Sequence, residues 1–191
     1  MKATFALLTN HEIHNLVRKL SWEIHRKYRT GVDICRLPAH ISLKQPFETM
    51  DLVGLEIYME NLVTNLAPFE VDLTGLELIE TTIDDMKSGI IWLDVRETET
   101  LRDLHNKINR ELTQRFGNVP AEFDGSEYHF HMSVAIGGQP WDVYQKIHNE
   151  FMGPLKDLHY MVREMALFVC DEQDETNAGY MTYKILPLIG K

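Results

Sequence analysis

Two short segments of the sequence each carry a histidine and a serine separated by one apolar residue. AHISLKQPF contains His40 and Ser42, and YHFHMSV contains His131 and Ser133. Side chains alternate in direction along a strand, so each histidine should share one face with its serine. Histidine exchanges a proton near neutral pH, and a serine hydroxyl can donate to a phosphate oxygen. Facing each other across a cleft, the two pairs could supply a base and an acid to one bond.

A single His-x-Ser pair is a weak signal, because histidine and serine are common on a solvated sheet face. The presence of two copies favours the functional interpretation. Each copy has an apolar residue between the histidine and the serine, another after the serine, and a predicted helix before its strand.

Three further side chains are candidates for binding a ligand. Continued alternation along the first strand places Lys44 beside Ser42, where its ammonium could contact the same phosphate. Tyr128 and Phe47 could stack on a base at the mouth of the cleft. Trp92 is expected instead to be a core or rim residue.

His129 raises the alternative of a metal site. The pair His129-x-His131 could hold an ion if a carboxylate and a third histidine came near. The sequence offers no Glu-x-x-His or similar partner, so we expect no metal and treat a metal-dependent hydrolase as the weakest interpretation. The other histidines fall on predicted helix faces, caps or loops, where a solvated ring is the default: His11, His14, His25, His105, His148 and His159.

The elements that must position these residues follow the order β-α-β-α-β-β-α-β-α-β-β, which predicts a mixed α+β fold with mostly antiparallel pairing. A capping box at Thr9-x-x-Glu12 should start the first helix. The order of a strand, a helix and a strand with a His-x-Ser pair (an HxS strand) recurs after residue 89. This repeat indicates one domain over 1–191 made of two related lobes with one His-x-Ser pair each. Strands are predicted at 2–8, from His40 to Pro46, and at 69–80, 89–95, 128–138, 162–172 and 179–188, and helices at 9–30, 52–66, 98–116 and 141–151.

Composition limits the class of partner. The 191 residues carry 19 Lys and Arg against 29 Asp and Glu, a net charge of −10, which disfavours a surface for long duplex nucleic acid. A few cations in a cleft can still bind one phosphate. Cys35 and Cys170 are expected to be free thiols, and no signal sequence or membrane-spanning stretch is evident, so we expect a cytoplasmic protein without a membrane partner. Nothing in the sequence indicates the oligomeric state.

The tetrads His40-Ile41-Ser42-Leu43 and His131-Met132-Ser133-Val134 resemble the two H-x-[T/S]-x signatures of the 2H phosphoesterase superfamily, which includes the bacterial 2'-5' RNA ligase-like proteins. Their 91-residue separation and the element order fit this family over most of the chain. The resemblance implies a bilobal fold with two pseudo-duplicated antiparallel sheets, flanked by helices, around a central cleft. It also implies chemistry without metal or cofactor, in which the histidines are general base and general acid and the serines hold the phosphate.

We therefore predict a phosphodiesterase that acts on 2'-5' or cyclic phosphodiester bonds of nucleotides or RNA ends. The acidic composition favours a small nucleotide or a chain end over a long duplex. The alternative is a non-catalytic module that binds a nucleotide or RNA end in the same phosphate pocket.

Overall fold

Two antiparallel sheets carry the two histidine strands in this structure, a computed structural model that describes residues 1–117, 119, 121, 123–153, 155, 158–171 and 179–191. The strands within this part of the chain are β1 (Lys2–Leu8), β2 (His40–Ser42), β3 (Phe47–Glu48), β4 (Phe69–Ile83), β5 (Met86–Val95), β6 (His131–Ile136), β7 (Leu158–Val162), β8 (Glu164–Cys170) and β9 (Met181–Pro187). The helices are α1 (His11–Tyr28), α2 (Leu52–Thr64), α3 (Glu99–Phe116) and α4 (Trp141–Phe151), with a short 3₁₀ helix at Asp33–Arg36.

The two sheets share one arrangement around their histidine strands. The first sheet has the order β2-β1-β8-β9, with β3 also paired to β1, and the second has the order β6-β5-β4-β7. In each sheet the HxS strand is an edge strand, and it pairs antiparallel with the strand that precedes the intervening helix, β1 for β2 and β5 for β6. Strands β2 and β6 lie next to each other, so the two tetrads meet where the sheets meet.

Apolar alternation anchors both tetrads in the core. Ile41 and Leu43 in the first tetrad, and Met132 and Val134 in the second, are completely buried. The burial of four such side chains, each worth about 1.5–3 kcal/mol, fixes which face of each strand turns inward. The histidine and the serine of each tetrad are consequently left half-buried on the other face.

Some boundaries differ from those predicted. The first helix is capped by Asn10, whose side chain accepts a hydrogen bond from the Ile13 amide at 2.9 Å, and not by Thr9. Residues 81–88, which separate the predicted strands 69–80 and 89–95, are themselves mostly strand. The chain turns at Asp84 and Asp85, whose positive φ angles of 50° and 60° are those of a tight two-residue hairpin.

Two strands were not predicted. β3 is only two residues long, and β7 pairs with β4 at the edge of the second sheet. β6 begins at His131 and not at Tyr128. The predicted strands 162–172 and 179–188 correspond to β8 and β9, and residue 172 lies outside the described residues.

The structure also bears on two expectations from composition. Both cysteines are free thiols, with Cys35 exposed and Cys170 buried. Among the described residues, none of the helices is both long enough and apolar enough to cross a membrane.

Candidate active site

The two tetrad histidines are held by the same hydrogen bond. Nδ1 of His40 lies 2.7 Å from the carbonyl oxygen of Pro38, and Nδ1 of His131 lies 2.9 Å from the carbonyl oxygen of His129. A carbonyl can only accept, so each neutral ring carries its proton on Nδ1. Each Nε2 is thereby left with a lone pair that can take up a proton, and the backbone two residues earlier sets the orientation of the ring.

An aromatic ring packs against each of these histidines. Phe168 lies edge-on to His40 with the ring centroids 4.8 Å apart. Trp92 is stacked on His131 at 4.1 Å, with an interplanar angle of 25°. The β5–β6 register explains the second contact. Trp92 pairs with Ser133, and Asp94 pairs with His131, so the Trp92 and His131 side chains are diagonal neighbours on one face of the sheet.

This environment lowers the pKa of both rings. Burial, which penalises the charged form, lowers the pKa of His40 to about 4, and the charges of Arg18 and His131 act in the same direction. Burial is also the main cause that lowers the pKa of His131. The hydrogen bonds to the carbonyls oppose these shifts only in part, so both rings are neutral in the free protein at pH 7.

A cleft of about 610 Å³ opens beside the tetrads and contains His40 from the first and Ser133 from the second. Arg36, from the end of the 3₁₀ helix, also lines it and brings a guanidinium that is about half exposed. Leu37 and Tyr180 supply its apolar wall, and both pack against a small buried cluster between β1 and β8 that includes Phe168. The cleft therefore combines a titratable ring, a hydroxyl, a cation and an apolar surface.

Lys44 is not the phosphate cation that strand alternation predicted. β2 ends at Ser42, and the Lys44 side chain is 1% exposed. Its ammonium forms an ion pair with Asp124 and donates to Oδ1 of Asn109 at 2.9 Å. A buried ammonium requires such partners, and Asp124 is 80 residues further along the chain, where no local pattern could identify it.

The stacking roles predicted for Tyr128 and Phe47 are also wrong, because these side chains are only 3% and 2% exposed. The Tyr128 hydroxyl donates to the Ser42 carbonyl at 2.7 Å, and its ring lies on that of His105 at 4.2 Å. His105, expected to be solvated, is fully buried, and its Nδ1 donates to the Leu43 carbonyl at 2.9 Å. Residues of the second half of the chain thus hold the backbone of the first tetrad.

His129 does not join His131 around a common point. Its Nε2 is 2.7 Å from Oδ1 of Asp94, and its side chain is exposed. Among the described residues, no group of three metal-ligating side chains includes His131. The predicted alternative of a metal bound by His129 and His131 together is not supported by this geometry.

Sequence reasoning missed three residues of the site. Trp92 was expected in the core or at a rim. It is half-buried, and the contact of its ring with a tetrad histidine is what sequence reasoning did not predict. Arg36 and Tyr180 come from the 3₁₀ helix and from the residue before β9. The strand alternation of Trp92 and Asp94 was a usable signal for the first, whereas nothing in the sequence around Arg36 or Tyr180 marks them.

Two comparisons of sequence match large parts of the chain. The family model of the 2'-5' RNA ligase superfamily matches residues 12–174. A protein of Geobacillus sp. (strain WCH70), named as a phosphoesterase, is 31% identical over 101 residues, which are 53% of this chain and 51% of the relative. The match thus spans about half the length of that relative.

Comparison of structures finds the same fold in several solved proteins. TT0787 of Thermus thermophilus has a TM-score of 0.68 at 15% identity, with 100% of both chains covered. LigT of E. coli complexed with 3'-AMP has a TM-score of 0.54 at 16% identity, covering 98% of this chain and 97% of that one. Usb1 of Kluyveromyces marxianus has a TM-score of 0.52 at 14% identity, with 98% and 97% covered. The predicted fold class, two antiparallel sheets with helices around a cleft, is confirmed.

Proposed function

The chain belongs to the 2'-5' RNA ligase superfamily, as the resemblance of its tetrads predicted, and we propose that it is a metal-independent phosphodiesterase that uses His40 and His131 as a proton-transfer pair. The observation that carries this proposal is the repeated bond from Nδ1 to a backbone carbonyl, which leaves Nε2 of both rings for the reaction. Without such a bond each neutral imidazole could adopt either tautomer, and the tautomer with a free Nε2 lone pair would be populated only part of the time.

In the proposed hydrolysis of a cyclic phosphate, one neutral histidine takes a proton from water as the water oxygen bonds to phosphorus. The other histidine enters protonated and gives its proton to the ribose oxygen whose bond to phosphorus breaks. The hydroxyls of Ser42 and Ser133 donate to the non-bridging oxygens. The charge of a bound phosphate favours a protonated ring, and this compensates for the burial that keeps both rings neutral in the free protein.

Arg36 takes the role of phosphate cation in this proposal, since Lys44 is committed to Asp124. Its guanidinium lies on the cleft and has only an exposed carboxylate, Asp33, as an ionic partner at 3.2 Å among the residues that the structure describes. A guanidinium can present two parallel N–H donors to one phosphate, which gives both attraction and orientation. Exchange of the Asp33 contact for a phosphate contact requires no buried group to lose its partner.

A small nucleotide or an RNA end is the substrate that best fits the cleft. Its volume of about 610 Å³ is in the usual range of small-molecule sites, and Leu37 and Tyr180 offer an apolar surface to a base or ribose. LigT, which shares the fold, has been crystallised with ATP and with 3'-AMP. The net charge of −10 opposes binding of a long duplex.

The test is a screen of the purified protein against 2',3'-cyclic nucleotides, 2'-5' dinucleotides and ADP-ribose cyclic phosphate, with products identified by mass. Each reaction is run in chelator and compared with His40→Ala protein. Turnover that persists in chelator and is lost in the variant supports the proposal. Turnover that requires added metal contradicts it, and tight nucleotide binding without any product would favour a non-catalytic binding module.

A further inference from the structure

We propose that Glu77, Asp94 and His129 form a divalent metal site on the solvent-accessible face of the second sheet, which can bind Zn²⁺. Glu77 is on β4, Asp94 is on β5, and His129 lies two residues before β6, so three neighbouring stretches each contribute one ligand. The two carboxylate oxygens and the imidazole nitrogen all lie within 4.8 Å of one another. In the described part of the chain this is the one group with such geometry.

Neighbouring side chains restrict the orientation of two of the three proposed ligands, Asp94 and His129. One Asp94 oxygen accepts a hydrogen bond from the Thr74 hydroxyl, and the other lies 2.7 Å from Nε2 of His129. The His129 ring is stacked on Trp92 at 5.4 Å. Hydrogen bonds to a ligating carboxylate and packing of a ligating ring restrict their orientation, which is the role of outer contacts in metal sites.

Charge provides a second reason to expect a cation. The carboxylate of Glu77 is exposed, and no hydrogen bond or ion pair joins it to any residue that the structure describes. It nevertheless lies within reach of the carboxylate of Asp94, and like charges at such a separation repel. A divalent ion between them converts this repulsion into attraction, and a neutral histidine adds a nitrogen ligand at no charge.

The set of one imidazole and two carboxylates suits zinc, which binds nitrogen and oxygen at about 2.0–2.2 Å and keeps open positions for water. Ligand atoms on a tetrahedral zinc are then roughly 3.3 Å apart. Nε2 of His129 and Oδ1 of Asp94 must therefore separate slightly from 2.7 Å, while Glu77 moves inward. Nε2 of His129 can bind the ion only when it carries no proton, so the neutral ring must hold its single proton on Nδ1 in the bound state.

This site is separate from the proposed proton-transfer pair and does not depend on the proposed function. His131 is not one of its ligands, and its Nδ1 is already bonded to the backbone of His129. Trp92 lies against both rings, and Asp94 pairs with His131 across β5 and β6, so a bound ion would be a neighbour of the His131 ring.

The experiment is a calorimetric titration of chelator-treated, dialysed protein with Zn²⁺, repeated with Co²⁺ so that its visible spectrum reports the ligands. We expect one ion per chain, and we expect Glu77→Gln and His129→Gln each to lower the zinc affinity at least tenfold, the smallest effect usual for a ligand or its support. Glu80→Gln is the matched control, because Glu80 is an exposed glutamate on the same strand that is paired with Lys87. It should bind zinc like the unaltered protein.

Two further variants separate this site from the cleft. His40→Ala and His131→Ala should still bind the ion, because neither ring is a ligand. The proposal is overturned if zinc does not bind, if Glu77→Gln and His129→Gln bind it unchanged, or if loss of His131 alone abolishes binding. Thermal melts of every variant without metal check folding, and zinc should raise the midpoint of the unaltered protein but not that of His129→Gln.

Discussion

The imidazole of His131 is stacked on the indole of Trp92, with 4.1 Å between the ring centroids. The indole covers one face of the histidine, restricts its rotation and excludes water from it. Burial of this kind is the main cause of the lowered His131 pKa. Trp92 is thus positioned to influence the proposed proton transfer through the orientation and pKa of His131.

Replacement of Trp92 by leucine should lower kcat by roughly tenfold or more, because small displacements of a catalytic group are costly. It should also raise the pKa of His131 toward its ordinary value of 6.5, since water regains access to the ring. Steady-state kinetics and an NMR titration of the His131 ring measure the two effects. Trp92→Phe, which keeps an aromatic face, should lie between the two proteins. An unchanged His131 pKa in Trp92→Leu would show that the indole is only a packing residue.

His40 and His131 are predicted to act as one catalytic unit. His40→Ala and His131→Ala should each lower turnover by about a hundredfold to ten-thousandfold, the usual contribution of a general acid or base. The double variant should lose far less than the product of the two, because groups that act together are non-additive. His129→Gln is the control on the same segment and should retain most activity. Thermal midpoints are needed for all variants, because loss of activity through unfolding would not support the mechanism.

The pH dependence should differ between kcat/KM and kcat. Unperturbed histidines would place a bell-shaped optimum near neutrality, but in the free protein the pKa of His40 is lowered to about 4 and that of His131 is lowered as well. The rate rises as the base loses its proton and falls as the acid loses its proton, so kcat/KM should be maximal below pH 6.5. The bound phosphate raises both pKa values, and the optimum of kcat should lie closer to neutrality. A rate that increases steadily into the alkaline range would exclude the paired mechanism.

Lys44 and Arg36 should show opposite phenotypes. Lys44→Ala leaves Asp124 without its buried partner, and we expect a loss of about 3–5 kcal/mol in the free energy of unfolding. The folded fraction of this variant should keep its KM. Arg36→Ala removes a half-exposed cation from the cleft, so stability should barely change while KM for a phosphate substrate rises. Denaturant unfolding and kinetics on both variants distinguish the roles, and a raised KM in Lys44→Ala with normal stability would restore Lys44 as the phosphate ligand.

Much of the fold and part of the site could be predicted from local pattern. Alternation along a strand has a period of two, and helical spacing has a period of 3.6, so the sequence determined that Ile41 and Met132 face the core. The same alternation placed each tetrad serine beside its histidine. These properties depend on residues a few positions apart, and the local chain encodes them directly.

The tertiary structure alone decided which distant residues meet at the site. Lys44 continues the row of Ser42 in the sequence, yet β2 ends before it and the ammonium is buried against Asp124. The contact of Trp92 with His131 depends on the register of β5 and β6, and a shift of one residue would turn the indole to the opposite face. Register and burial result from the packing of the whole core, so residues with the same local pattern receive different partners. For that reason the sequence alone identified the two histidines and their serines as candidates, whereas only the tertiary structure showed which cation, aromatic rings and carboxylates lie near them.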